Sequence, residues 1–349
     1  PLGSVGPRPR RDMLAAAQAL TQDTDGDGNI ELIVACYEGS ASETYGVARL
    51  FVYGYLSGQY LIEWSSGQMV AGDELGEMAL VKDLVLCDAD GDGRDDIFVL
   101  GWIHDEPSVS DIFLVYSWRA SGYGLETYSL DSFEAIAFSD GDLDGDTEMY
   151  AASLYSGWTE YEMEGFDLTY SRFYSTDEYF ADMSATDIDS DSKPEIVLGS
   201  RTYGLSFLSY EWNGSGYVQD HALQSSDYVG GVGHETGDFD SDGATEVALL
   251  GILSTVRVVE WNGTAFAEDW SLEATGDPVQ SGAFTTGDAD GDGQPEMVAS
   301  RMTYDFETSS VFGGIHVYGY DGGSYCIEWS SETYETAAIS IAIGDLEGD

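Results

Sequence analysis

The chain has 349 residues, 43% of them hydrophobic, enough for two average domains or one large repeat domain with a buried core. Sixty-five acids face 12 Lys and Arg, and the net charge of −53 repels nucleic acid and anionic membrane, so neither is an expected partner. No apolar run approaches the roughly 18 residues that mark a membrane span, so membrane insertion is not expected either.

The composition favours strands. Gly (43), Tyr (23) and Trp (8) are plentiful and Pro (7) is scarce, which suits short strands joined by tight turns. Residues 1–12 begin Pro1-Leu2-Gly3-Ser4, which reads as the scar of a tag cleavage, and continue as a basic linker. The natural N-terminus is therefore expected to lie elsewhere. From 13 to 349 one pattern recurs. Asp-rich loops begin at Asp23, Asp88, Asp140, Asp187, Asp238, Asp288 and Asp345. A short apolar run precedes the loops, as at 13–20, 78–87, 134–138, 283–286 and 337–343. A second follows each of the first six, at 30–36, 97–101, 149–153, 196–199, 247–251 and 297–300. These runs are too short for helices and rich in Val, Ile and aromatics, so they predict strands.

Two more strands follow in most units. Asn213-Gly214 and Asn262-Gly263 sit between strand-like runs and predict hairpins. The aromatics Trp118, Trp212, Trp261 and Tyr320 occupy equivalent places and are expected to pack between units. Each unit thus reads as four strands, A to D, with the Asp loop between A and B. Such units predict an all-β fold, a β-propeller of four-stranded blades. A parallel β-helix has much shorter repeats. Six units are complete and the seventh stops inside its loop. The expectation is a seven-bladed plan with an incomplete last blade; the alternative is six blades with a spare terminal strand. Cys36, Cys87 and Cys326 lie in apolar runs and are expected to be buried thiols.

The loops share one rule: Asp at positions 1, 3 and 5, a small residue at 6 and an acid at 9. Loop one carries Asp23, Asp25, Asp27, Asn29 and Glu31. Loop two carries Asp88, Asp90, Asp92, Arg94 and Asp96, and loop three Asp140, Asp142, Asp144, Asp146 and Glu148. Loop four carries Asp187, Asp189, Asp191, Lys193 and Glu195. Loop five carries Asp238, Asp240, Asp242, Ala244 and Glu246, and loop six Asp288, Asp290, Asp292, Gln294 and Glu296. Calcium takes six to eight oxygens at about 2.3–2.6 Å in a flexible shell. Acids on alternate residues of a curled loop point inward together. Gly at position 6 permits the bend that presents the carbonyl of position 7, and the acid at 9 opens the next strand. Without a cation, four or five carboxylates in nine residues repel one another. No Cys or His lies in any complete loop, so soft metals lack ligands. The cofactor expected is Ca²⁺, at about six sites. Loop four, with Ser192 at position 6 and Lys193 inside it, is expected to be the weakest. Loop seven, which ends before its ninth position, is expected to be empty.

This pattern resembles the FG-GAP/VCBS repeat family, the calcium-binding propeller blades also found in integrin α-subunit heads. The resemblance implies an extracellular or cell-surface propeller used in adhesion or ligand binding. The chain departs from the integrin-type pattern in lacking a Gly-Ala-Pro tripeptide.

A–B and C–D turns share one face of a propeller, and B–C and D–A connections share the other. The B–C segments at 302–313, 37–46, 102–111 and 155–164 read as long loops. They carry Tyr37, Tyr45, Trp102, Tyr155, Trp158, Tyr161, Tyr304 and Phe306, and exposed aromatics on loops suit a protein or carbohydrate ligand. No catalytic residue is assigned. His104-Asp105-Glu106 and His234-Glu235 are the nearest to acid–base groups, and no Gly-x-Ser-x-Gly motif occurs. The expectation is a binding module; the alternative is the propeller domain of a polysaccharide-acting enzyme.

Overall fold

The computed structural model describes residues 13–39, 47–56, 59–66, 69, 77–105, 108–119, 122–153, 157–202, 205–224, 231–251, 255–272, 281–305, 310–333 and 340–344. Among them are six antiparallel four-stranded sheets, each running through its strands in chain order. Blade one is β1 (Met13–Gln22), β2 (Glu31–Gly39), β3 (Val47–Leu56) and β4 (Gln59–Ser65). Blade two is β5 (Glu77–Cys87), β6 (Asp96–Asp105), β7 (Ser108–Arg119) and β8 (Gly122–Ser129). Blade three is β9 (Ala135–Ser139), β10 (Glu148–Ser153), β11 (Gly157–Glu164) and β12 (Asp167–Ser175). Blade four is β13 (Phe180–Thr186), β14 (Glu195–Ser200), β15 (Leu205–Trp212) and β16 (Tyr217–Gln224). Blade five is β17 (Gly231–Gly237), β18 (Glu246–Gly251), β19 (Val256–Trp261) and β20 (Phe266–Leu272). Blade six is β21 (Ser281–Gly287), β22 (Glu296–Asp305), β23 (Ser310–Tyr320) and β24 (Tyr325–Ser330).

The fold is a β-propeller. Its first strands, β1, β5, β9, β13, β17 and β21, are neighbours in that order around the centre. Residues 340–344 lie between β21 and β1. The Ala19 amide donates to Ser340 Oγ at 2.9 Å, Thr21 Oγ1 donates to the Ile343 carbonyl, and the Ile343 side chain sits over Gly287. The six blades match the alternative count, and the segment at 340–344 is the spare terminal piece, seated in a seventh inner position. The seventh loop, from Asp345, lies outside the described residues.

Both faces of the second strand are buried in blades three, four and five, so it reads there as a continuous apolar run, while one face of blade one is only half-buried. Period-two alternation divides the residues of second strands between neighbours. In β6, Ile97 and Val99 pack toward blade one while Phe98 and Leu100 pack toward blade three. In β14, Ile196 and Leu198 face blade three and Val197 faces blade five. Blades five and six share a cluster of Ala248, Leu250, Met297 and Tyr318. The hairpin aromatics meet a ring of their own blade first: Trp118 packs on Tyr123, Trp212 on Tyr217 and Tyr320 on Tyr325, with centroids 5.1–5.2 Å apart. The expected packing between units is direct at Trp261, 4.2 Å from His221 of blade four, while the other three border the clusters that neighbouring blades share. The cysteines differ from expectation. Cys36 is buried, Cys87 is half-buried and Cys326 is exposed, because β24 is the outermost strand of its blade and is open to water from Cys326 to Ser330.

Candidate metal loops and a central cavity

Each complete loop joins the first strand of a blade to the second, and all six use one hydrogen-bond ladder. The carboxylate at position 1 accepts the amide of position 6 at 2.8–3.1 Å. Position 3 accepts from position 5 at 3.0–3.1 Å. Position 5 accepts from position 7 at 2.8–3.0 Å, which is how Asn29, Arg94, Asp146, Lys193, Ala244 and Gln294 enter the loop through their backbone. One oxygen of the acid at position 9 accepts the amide of position 2 at 2.6–3.0 Å. The curl requires left-handed backbone at two positions. Position 6 has φ between 73° and 99° and is Gly in every loop but the fourth, where Ser192 takes it. Position 4 also has positive φ, at Gly26, Gly91, Leu143, Ser190, Ser241 and Gly291. That second requirement was not legible in the sequence, because only three of the six residues are Gly.

The acids at position 9, Glu31, Asp96, Glu148, Glu195, Glu246 and Glu296, are all buried. In three of the six the second oxygen lacks a partner. Glu148 Oε1, Glu195 Oε1 and Glu246 Oε1 are buried without a hydrogen bond, as are Asp140 Oδ1 and Asp238 Oδ1 at position 1 of loops three and five. In loops one, three and five the acids at positions 1, 3, 5 and 9 bring four carboxylate oxygens within 4.8 Å of one another. Burial is the main cause that pushes Asp96 up to about 6, Glu31 and Glu148 up to about 7, and Glu195 and Glu246 up to about 8; backbone hydrogen bonds oppose it and neighbouring acids add to it. A hard cation fits this donor set: all oxygen, mostly carboxylate, with the buried lone pairs converging. Each residue in the sequence pattern is thus brought to one loop. Asp288, Asp290, Asp292 and Glu296 complete the sixth with the same ladder.

Two loops carry their own cation. Lys193 Nζ pairs with Asp191 at 2.9 Å and with Glu211, and Arg94 lies 3.4 Å from Asp92. In loop two the oxygens of Asp88, Asp90 and Asp96 lie within 4.8 Å of one another. Replacing Lys193 with Gln is expected to raise calcium affinity at loop four about two- to fivefold, the worth of a partly exposed ion pair. Site-resolved calcium titration by NMR of both chains checks this, and an unchanged loop-four affinity contradicts it.

The raised carboxyls also set a pH dependence. Their folded pKa lies above the unfolded value, so the native state holds extra protons between about pH 4.5 and 8. Stability of the calcium-stripped chain is present below that window and is lost as pH rises through it. A bound cation would keep the same groups ionised, so calcium should flatten this fall if the loops take it up. Melting curves across the window, with and without calcium, decide it; parallel pH profiles would show that the loop carboxylates do not govern stability.

Two of the eight aromatics expected on exposed loops, Trp158 and Tyr161, lie in a strand instead. Trp158 is 0% exposed: it lies in β11, stacked on Tyr174 at 4.1 Å and edge-on to Tyr150, Tyr210 and Tyr217. The run 155–164 resembled a loop because polar and aromatic residues alternate in it; that alternation is a strand pattern. Tyr161, in the same strand, is half-buried against Phe133 and Tyr170. The run 102–111 is likewise strand at both ends, since β6 extends to Asp105 and β7 starts at Ser108. Tyr37 and Tyr304 lie in β2 and β22, with side chains outside the described residues, as are Tyr45, Tyr155 and Phe306 entirely. Trp102 alone of the eight is shown at a surface, 40% exposed, with Lys82 Nζ 5.3 Å from its ring.

Trp102 opens onto a cavity of about 590 Å³ in the centre of the ring. Lys82, Asp83, Glu134, Asp182, Ser184 and His234 share its wall, with Arg201 and Glu235. Trp102, Arg201 and Leu250 lie where second strands end, so the cavity sits toward the face away from the Asp loops. Lys82 Nζ is 2.7 Å from both Asp111 and Glu134. His234 Nε2 and Ser184 Oγ are 2.7 Å apart, and the His234 amide donates to Asp182 Oδ2 at 2.8 Å. The sequence singled out His234-Glu235 but not the company they keep, which comes from strands far apart in the chain.

Residues 238–299 match the family model described as FG-GAP-like repeat. No curated protein sequence matches the chain. Among solved structures, a rhamnogalacturonan lyase from Bacillus licheniformis is 15% identical over 92% of this chain, with a TM-score of 0.49, and this chain spans 65% of it. A candidate 6-phosphogluconolactonase from Bacteroides fragilis is 14% identical over 89% of this chain and 83% of its own, with a TM-score of 0.55. Another, from Bacteroides uniformis, is 8% identical over 93% and 86%, with a TM-score of 0.52. At such identities the likeness to the two Bacteroides structures extends to the fold alone: the chain is a β-propeller that carries an FG-GAP-like repeat.

Proposed function

We propose that the chain is a calcium-stabilised binding or adhesion module that works outside the cell and holds a protein or carbohydrate ligand on the face away from its Asp loops. The observation that supports it most is the repetition, six times, of one loop whose buried position-9 acid uses one oxygen for the backbone and, in loops three, four and five, leaves the other without a partner. Asp at positions 1, 3 and 5 and the acid at 9 would hold the ion. It would supply positive charge where four or five carboxylates crowd together. Calcium modules of the extracellular kind bind at about 10⁻⁴–10⁻³ M, so calcium outside the cell would keep such loops filled. Calorimetric titration should find about six calcium ions per chain and weak competition from magnesium. A glycan and protein array probed with and without calcium then tests binding; no calcium uptake would end this reading.

One observation favours a second reading, catalysis in the cavity. Ser184, His234 and Asp182 stand in the order of a nucleophile, base and orienting acid, with His234 Nδ1 3.3 Å from Asp182 Oδ2. Asp83 and Glu235 weigh against it, since their negative charge opposes an oxyanion beside Ser184. Turnover of a polysaccharide or ester that is abolished by Ser184→Ala would establish it.

A further inference from the structure

The cavity has a charge pattern that the metal loops do not explain. Bulges interrupt the inner strands between Ala16 and Gln18 in β1, Val81 and Asp83 in β5, and Phe180 and Asp182 in β13. The residue after each bulge, Gln18, Asp83 or Asp182, lines the cavity. A bulge breaks the alternation of the strand and re-aims the side chain that follows it. Asp83 and Asp182 reach the centre in this way.

Four carboxylates line the wall, and two are matched. Glu134 pairs with Lys82 and Asp182 with His234. Asp83 accepts the amide of Leu84 at 2.9 Å and is repelled by Asp182 and Glu235. Glu235 makes no hydrogen bond or ion pair among the described residues. Burial, reinforced by repulsion from Asp182, pushes Asp83 up to about 8 and Glu235 up to about 7. The His234 side chain is 0% exposed, and its Nδ1 lacks an aligned hydrogen bond despite the nearby Asp182. Half-buried carboxylates with few bonds of their own inside a roomy polar cavity mark a place where a bound group completes the bonding.

We propose that the central cavity binds a compact organic ammonium ligand, with its charged nitrogen held between Asp83 and Glu235 and its carbon chain against Trp102. Calcium fits this wall less well, because the carboxylates come from three separate strands with an imidazole and an indole among them. An ammonium needs only three acceptors and is favoured by an aromatic face. Two carboxylates outside any ion pair suit a diamine, although His234 attracts Glu235 and Arg201 stands elsewhere in the wall. The proposal rests on the reading of the chain as a binding module, names its ligand class, and does not depend on the metal loops.

The test uses the full chain saturated with calcium and 1,4-diaminobutane as the probe, with 1,4-butanediol as its uncharged counterpart. The diamine should bind at one saturable site, raise the melting temperature and shift the His234 ring signals; the diol should do none of these. Asp83→Asn with Glu235→Gln removes two repelling charges, so the variant should fold, and it should lose at least about tenfold in diamine affinity while its calcium response is kept. Equal binding by the variant, which would mean association with the acidic surface only, overturns the proposal. So does absence of binding to the parent chain. A failed calcium response with intact diamine binding would end the calcium reading and leave this one standing.

Discussion

Stripping calcium should lower the melting temperature by on the order of 20 °C. An ion that binds only the native state adds about 2.7 kcal/mol per site at a hundredfold excess over Kd. Five or six such sites together exceed about 10 kcal/mol, as much as the whole stability of many domains. The cause is visible in the loops. Without an ion, the acids at position 9 are buried beside three or four like charges, with oxygens at Glu148, Glu195 and Glu246 that no amide reaches. Scanning calorimetry after dialysis against EGTA measures the effect, and calcium added back should restore the transition. An unchanged melting point in metal-free protein would mean that these loops are ordinary solvated turns.

Trp158→Ala should destabilise the chain by about 3–5 kcal/mol, the cost of removing a buried aromatic and leaving a cavity. Trp158 lies between blades three and four, where Tyr150, Tyr174, Tyr210 and Tyr217 surround it. Tyr150 and Tyr217 also share a hydrogen bond of 2.7 Å, and Tyr150 donates to Glu148 of loop three at 2.9 Å. The substitution should therefore also weaken calcium at that loop. Trp102→Ala, at a half-open position, should change stability by much less. Chemical denaturation of the two variants side by side checks this. A Trp158→Ala chain as stable as its parent would return that ring to the surface, where the sequence suggested it.

The amino-acid order by itself determined what short-range chemistry determines. Acids on alternate residues, a small residue at position 6 and an acid at 9 place the donors within one loop, and the flanking apolar runs are too short to be anything but strands. Both features are local, so the repeat, the four-stranded unit and the six complete loops were legible before any coordinates. What required the folded ring is everything set by contact between distant segments. Whether Trp158 or Trp102 is exposed depends on which blade lies alongside, and alternating polar and aromatic residues suit a loop or an outer strand equally well. How many blades complete the ring depends on how residues 340–344 fit between β21 and β1. The inner-strand bulges leave no mark in composition, yet they turn Asp83 and Asp182 toward a common centre and gather them with His234 and Glu235. Loop chemistry is written in nine consecutive residues; the cavity exists only where strands from separate blades converge.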